Sequence, residues 1–178
     1  SGDLTLEKLV VDTDLSWEFI TGLVAAGRYN QQHIAAALNK DNTSNGQRAA
    51  ITAEAAIPTA DAKAAMWMKL TTDKSLSNVM VNAGSLGFMR ANDLTLLEPY
   101  IDKYFEAVLP IWQSNTFKIA EYLLENLYPV ELASSSLALK TMEKIAQPEV
   151  ASIPALKRIL VENLANVERA LKASALDA

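Results

Sequence analysis

The sequence predicts an all-α chain, and three observations carry that prediction. Among its 178 residues Ala (28) and Leu (24) dominate, while Gly and Pro contribute 6 each, a bias toward helix formers and away from turn-rich β architectures. Apolar residues recur at steps of three and four, and no segment alternates apolar with polar as a half-buried strand does. Stretch after stretch opens on a short polar residue able to accept hydrogen bonds from the free N–H groups of a first helical turn. With 50% hydrophobic and 21% charged positions, such a chain can bury an ordinary core.

Each element follows from these signals. Residues 4–11 carry neither stripe nor cap, so 1–13 read as a lead-in cut from a preceding helical segment and 14–178 as one helical domain. Asp14 opens the first helix, whose stripe Leu15, Phe19 and Leu23 ends at Gly27. Asn30 opens a second helix through Ala35 and Leu38 to about Lys40. Ser44 with Gln47 has the form of a capping box, starting a third helix that Pro58 stops. Thr59 caps a fourth, carrying Met66, Trp67 and Leu70.

Ser75 opens a fifth helix through Val79, Met80 and Leu86, weakened by Gly84 and Gly87, glycines of the kind that permit close packing. Asp93 starts a sixth with the stripe Ile101, Phe105, Val108 and Trp112, broken at Pro99 and kinked at Pro110. A seventh from about Asn115 presents Phe117, Ala120, Leu124 and Leu127 before Tyr128-Pro129 ends it. The eighth, Ser135 to Ala146, presents Leu139, Met142 and Ile145. The last opens with Pro154 and carries Leu156, Leu160, Leu164, Val167 and Leu171. About nine antiparallel helices joined by short loops predict a superhelical array of HEAT-like pairs rather than a closed bundle.

The residue inventory excludes several chemistries. A net charge of −5 without segregated basic residues disfavours nucleic acid. No apolar run reaches the length of a membrane span. The absence of Cys removes disulfides, thiolate metal sites and thiol nucleophiles. The one histidine, His33, lies in the first turn of a helix and reads as an exposed, cap-adjacent residue; one imidazole cannot make an HExxH zinc site.

Asp12, Asp14, Ser16 and Glu18 alternate like a calcium loop, but Trp17 and Leu23 stand where its glycine and terminal carboxylate belong. Gly84-Ser85-Leu86-Gly87 has only Arg90 as a basic neighbour and reads as a packing device. Asn42-Thr43-Ser44 matches the glycosylation tripeptide by chance. Arg158/Glu162 and Glu168/Lys172 are i,i+4 pairs on a solvated face. Trp17, Trp67, Trp112, Tyr100, Tyr104 and Tyr128 are assigned to packing. No catalytic, cofactor-binding or metal-binding residue is assigned.

Several segments together resemble the helical C-terminal domain of the aminopeptidase N family of zinc metallopeptidases, most closely its actinobacterial members. The matching blocks run from Val11-Asp12-Thr13-Asp14-Leu15-Ser16-Trp17 through Asp41-Asn42-Thr43-Ser44-Asn45-Gly46-Gln47-Arg48 to Pro58-Thr59-Ala60-Asp61-Ala62-Lys63 with Trp67. They continue with Leu97-Glu98-Pro99-Tyr100, Lys103-Tyr104-Phe105, Ile111-Trp112, Leu127-Tyr128-Pro129 and Val167-Glu168-Arg169-Ala170-Leu171. The resemblance implies a HEAT-like superhelix within a longer enzyme whose zinc ligands and amine-binding loop lie in an absent upstream catalytic domain. It implies no cofactor in this chain, zinc in the absent domain, and as partners that catalytic domain and peptide substrates, with no nucleic acid and no membrane. A cytoplasmic parent, covered by this domain and restricted by it in the peptides admitted, completes the expectation. By the same resemblance, polar or basic residues here meet the distal part of the substrate; Arg48 and Arg90 are weighed for that role and read as surface residues. The rivals are a free-standing α-solenoid that binds a peptide or protein and a small helical enzyme with a carboxylate site.

Overall fold

The computed structural model describes residues 12–176. Among them are ten α-helices and two 3₁₀ turns, with no strand. The helices are α1 (Thr13–Ala25), α2 (Gln31–Lys40), α3 (Ser44–Ala55), α4 (Ala60–Thr72), α5 (Asn78–Phe88), α6 (Tyr100–Ser114), α7 (Phe117–Asn126), α8 (Ser135–Ala146), the single turn α9 (Pro148–Ala151) and α10 (Pro154–Leu176). The expected superhelical array of helix pairs is what the chain forms. The lead-in expected over residues 1–13 lies, up to Val11, outside the described residues.

Helices α1, α3, α5 and α7 pack side by side as one layer, which α10 continues against α7 and α8. Helices α2, α4 and α6 lie mainly against that layer rather than against each other. Neighbours within the first layer pack more closely than neighbours within the second. Small residues set that spacing. A Cβ on Gly87 of α5 would sit 2.2 Å from the Thr52 carbonyl oxygen of α3, and one on Gly84 3.4 Å from Ile51 of α3 and 2.9 Å from Leu70 of α4. The glycines read from the sequence as packing devices are therefore that.

Two apolar cores meet at α3. Trp17, Val24, Ile34, Ala50 and Ala53 form the smaller one with α1 and α2. Ile51 and Ala55, on the other side of α3, enter the larger one, which runs through Phe88, Tyr104, Leu124 and Leu160 to Val167. Trp17, Trp67, Tyr100, Tyr104 and Tyr128 are buried as expected, and Trp112 is partly so.

Several local expectations are corrected. The cap of α1 is Asp12, whose carboxylate accepts from the Leu15 N–H, not Asp14. Thr43 rather than Ser44 caps α3, so the Ser44/Gln47 box does not form; a box forms instead at α2 between Asn30 and His33. Helix α5 follows Ser77, while Ser75 closes a turn with Asp73. Asp93 caps a 3₁₀ turn, and Pro99 separates it from α6, which continues through Pro110.

Three stripes were placed on the wrong face. Helix α1 buries Trp17, Thr21, Val24 and Ala25 instead of Leu15, Phe19 and Leu23, whereas on α6 the expected Ile101, Phe105 and Trp112 are partly buried against the same core as Tyr100, Tyr104, Val108 and Ile111. Helix α5 buries Val81, Gly84, Ser85 and Phe88, leaving Val79 and Leu86 exposed. Helix α8 buries Leu137, Ala138 and Thr141, leaving Leu139 and Met142 exposed. Phe117 at the start of α7 is exposed as well.

Candidate functional site

The first layer carries an open groove of about 390 Å³ over α1, α3 and α5. Helix α1 contributes Asp14 and Glu18, α3 contributes Asn45, Arg48 and Thr52, and α5 contributes Val79, Asn82 and Leu86, with Arg90 just beyond it. The close α3–α5 approach holds the groove floor. The Thr52 hydroxyl, bonded to the Arg48 carbonyl at 3.0 Å, also lies 3.1 Å from the Ala83 carbonyl across the helix interface. Asn126 of α7 donates to Asn82 Oδ1 and to Ser85 Oγ, each at 2.9 Å, extending the same floor.

Both groove cations have partners. Arg90 forks onto Glu18, its two nitrogens 2.8 and 3.3 Å from the carboxylate oxygens, and Arg48 reaches Asn45. All four side chains are exposed, so water screens the Arg90–Glu18 pair and it contributes little to stability. The groove thus presents carboxylates, guanidinium groups, amides and two exposed apolar side chains to solvent.

Helices α7 and α10 carry a further charge cluster. Glu121 lies 2.7 Å from Lys118 and 3.7 Å from Arg158, which meets Glu162 at 3.1 Å. The i,i+4 pair Arg158/Glu162 is therefore formed. Burial, reinforced by Glu121 and Glu162, pushes the neighbouring Glu125 carboxyl up from its ordinary value.

The most perturbed cation lies inside the fold. Lys63 of α4 is fully buried, and its ammonium donates to the carbonyls of Ala55 at 2.8 Å and Phe88 at 2.6 Å. These are the last residues of α3 and α5, so two helix C-termini converge on one cation, the arrangement that the helix dipole favours. Desolvation nonetheless lowers its pKa to about 8. In the sequence Lys63 stands out only as the end of the block Pro58-Thr59-Ala60-Asp61-Ala62-Lys63, with nothing to show that it is buried.

No nucleophile–base pair comes together around the groove. Among the described residues, no three of His, Cys, Asp and Glu gather as a metal ligand set. The described residues thus bring together no donor set that fits zinc. His33 is exposed, with its ring stacked on Tyr29 at 4.2 Å and its Nδ1 against Asn30 at the α2 cap. No helix among the described residues is long and apolar enough to cross a membrane.

The family model described as ERAP1-like C-terminal domain matches residues 2–169. The chain belongs to the family of ERAP1-like C-terminal domains. It is also 37% identical over 177 residues, 99% of its length, to the aminopeptidase N of Streptomyces lividans. It spans only 20% of that relative. Among the described surfaces, the α1–α3–α5 groove is one that mixes charges, amides and apolar side chains.

Proposed function

We propose that the chain is the non-catalytic C-terminal domain of a zinc-dependent aminopeptidase, covering the catalytic domain and governing which peptides reach it. One observation carries this reading: nearly the whole chain matches one fifth of an aminopeptidase N, while its one His cannot make an HExxH zinc site. The domain is then architecture for chemistry performed elsewhere in the same polypeptide, and the catalytic domain is its partner. In the same reading the parent works in the cytoplasm, which fractionation of the source cells tests.

The α1–α3–α5 groove supplies a means. An extended peptide offers alternating N–H and C=O groups and a terminal carboxylate. Asn45 and Asn82 suit the former, and Arg48 and Arg90 the latter if Glu18 is displaced from Arg90. A curved wall over the metal also excludes folded substrates and bulk water, leaving access to chain ends.

The test uses the full-length parent. Replacing Arg48 and Arg90 together by Ala should raise KM for peptides of eight or so residues several-fold and leave a single-residue aminoacyl substrate unchanged, because uniform binding of a distal segment acts on KM. Equal effects on both substrates, or aminopeptidase turnover by the isolated chain with added zinc, would defeat the reading. A natural reading frame beginning near Asp3, with no upstream metallopeptidase, would replace it by the free-standing solenoid.

A further inference from the structure

Asn45-Gly46 is the one Asn-Gly pair in the sequence. In such a pair the side-chain amide carbon can close a five-membered ring with the next backbone nitrogen, and glycine, lacking a side chain, leaves that nitrogen unhindered. Packing enforces the glycine, because a Cβ on Gly46 would overlap the Asp41 carbonyl oxygen at 1.8 Å and lie 2.7 Å from its carboxylate. Asn45 is exposed and lines the α1–α3–α5 groove, so water reaches it.

The place of the pair within α3 sets its reactivity. The helix begins at Ser44, so Asn45 and Gly46 fall in its first turn, where an N–H has no helical carbonyl four residues back. The Gly46 N–H is held instead by the Thr43 hydroxyl at 3.1 Å. One side-chain bond, at a helix end where local opening is easiest, therefore restrains the nitrogen.

The amide carbon is activated from the other side. Arg48, one turn further on, donates from its guanidinium to Asn45 Oδ1. A cation on that oxygen draws electron density from Cγ and stabilises the negative charge that the oxygen takes up when Cγ is attacked.

We propose that Asn45 is a self-modification site, deamidating onto the Gly46 nitrogen, with the Thr43 hydroxyl restraining the reaction and Arg48 promoting it. When the first turn opens, the Gly46 nitrogen gives up its proton and bonds to Asn45 Cγ. The Cγ–Nδ2 bond breaks, Nδ2 takes up a proton and leaves as ammonia, and a succinimide remains. Water then opens the ring at Cγ, giving aspartate, or at the backbone carbonyl carbon, giving isoaspartate. Aspartate at position 45 puts a carboxylate where the helix dipole favours it and against Arg48, which it holds by a charge-assisted bond. The groove, in which Asp14 and Glu18 face Arg48 and Arg90, gains a third carboxylate. Isoaspartate instead lengthens the main chain by a methylene and disrupts that turn. The inference stands on residues 41–48 and does not depend on what the groove binds.

The experiment incubates the 178-residue chain in mildly alkaline buffer and follows the peptide containing Asn45 by mass spectrometry as amide becomes acid. Circular dichroism checks that each variant is folded. We expect Thr43→Val to react about fivefold faster than the native chain, because losing a cap favours opening of the turn by about that factor. Thr43→Ser keeps the hydroxyl and should react at the native rate. Arg48→Gln is a change at an exposed position that leaves the cap alone, and it should slow the reaction several-fold. Equal rates for the native chain and Thr43→Val would overturn the restraint by the cap, and an Arg48→Gln chain as fast as the native one would overturn the role of Arg48. Conversion of Asn42, Asn82 or Asn126 ahead of Asn45 would overturn the site itself.

Discussion

The indole Nε1 of Trp17 donates to Asp41 Oδ2 at 2.9 Å, and Oδ1 of the same carboxylate accepts from the Thr43 hydroxyl at 2.8 Å. Two sequence blocks that carried the family resemblance are thereby one structural unit, which pins α1 to the loop between α2 and α3. Gly46 completes it, since a Cβ there would overlap the Asp41 carbonyl oxygen at 1.8 Å. The Trp17 bond, then the Thr43 bond, hold the Asp41 carboxyl below its ordinary value of 3.8. A depressed folded-state pKa gives stability that is present above 3.8 and lost as pH falls through the folded value. Thermal melts from pH 6 down to pH 2 should therefore show a steeper acid loss for the native chain than for Trp17→Phe, which keeps the ring and removes the donor. Parallel acid limbs would refute the coupling.

Lys63 gives a pH dependence of the opposite kind. Its folded pKa of about 8 lies below the ordinary 10.5 because burial penalises the ammonium. Between those values the unfolded chain binds more protons than the folded one, so stability should rise with pH across this window, by at most about 3 kcal/mol. Denaturant melts at pH 7.5, 9 and 10.5 should resolve that rise and show none of it in Lys63→Met. The same variant should be less stable at pH 7.5 by about 1–3 kcal/mol, because it leaves the Ala55 and Phe88 carbonyls without their donor. A Lys63→Met protein with the native slope would mean that another group titrates.

The glycines separate two roles by their surroundings. Gly87→Ala places a methyl 2.2 Å from a backbone oxygen that cannot swing aside, so α3 and α5 must part, at a cost of about 3 kcal/mol or more. Gly22→Ala meets nothing within 4 Å and should gain up to about 1 kcal/mol from helix propensity. Chemical denaturation of the two variants decides the matter by sign. A tolerated Gly87→Ala would sink the claim that this glycine sets the layer spacing.

Helix existence and order were legible because caps and stops are local: Asn30, Thr59, Pro58 and Pro99 act within a turn of where they sit. The faces were less legible because the cores admit polar groups. In α8 two apolar stripes compete, and the one through Leu139 and Met142 is the more hydrophobic. The other wins because Thr141, which it contains, bonds both the Tyr128 hydroxyl at 2.7 Å and the Leu137 carbonyl at 2.8 Å. Lys63 and Asn163 are buried for similar reasons, with partners distant in sequence that hydropathy cannot foresee. The groove was illegible for a third reason: Glu18 and Arg90 meet across 72 positions, and only the close α3–α5 packing brings them together.

The largest core contains a polar junction whose energetics should be non-additive. The Leu124 carbonyl near the end of α7 accepts from the Tyr104 hydroxyl at 2.7 Å and from Asn163 Nδ2 at 2.9 Å, and Nδ2 also reaches that hydroxyl at 3.2 Å. Three helices, α6, α7 and α10, are thus held through one buried oxygen. Tyr104→Phe leaves Asn163 serving the carbonyl, and Asn163→Leu leaves Tyr104 doing so, so each single change should cost only about 1 kcal/mol. The double variant strands the carbonyl in a dry core, and its cost should exceed the sum of the singles by roughly 1–3 kcal/mol. Burial raises the Tyr104 hydroxyl pKa well above its ordinary value of 10.0, so the hydroxyl stays a neutral donor and the coupling should be the same at pH 6 and pH 9. A double-mutant cycle by urea denaturation measures it, and strict additivity would mean that the two donors do not share the load.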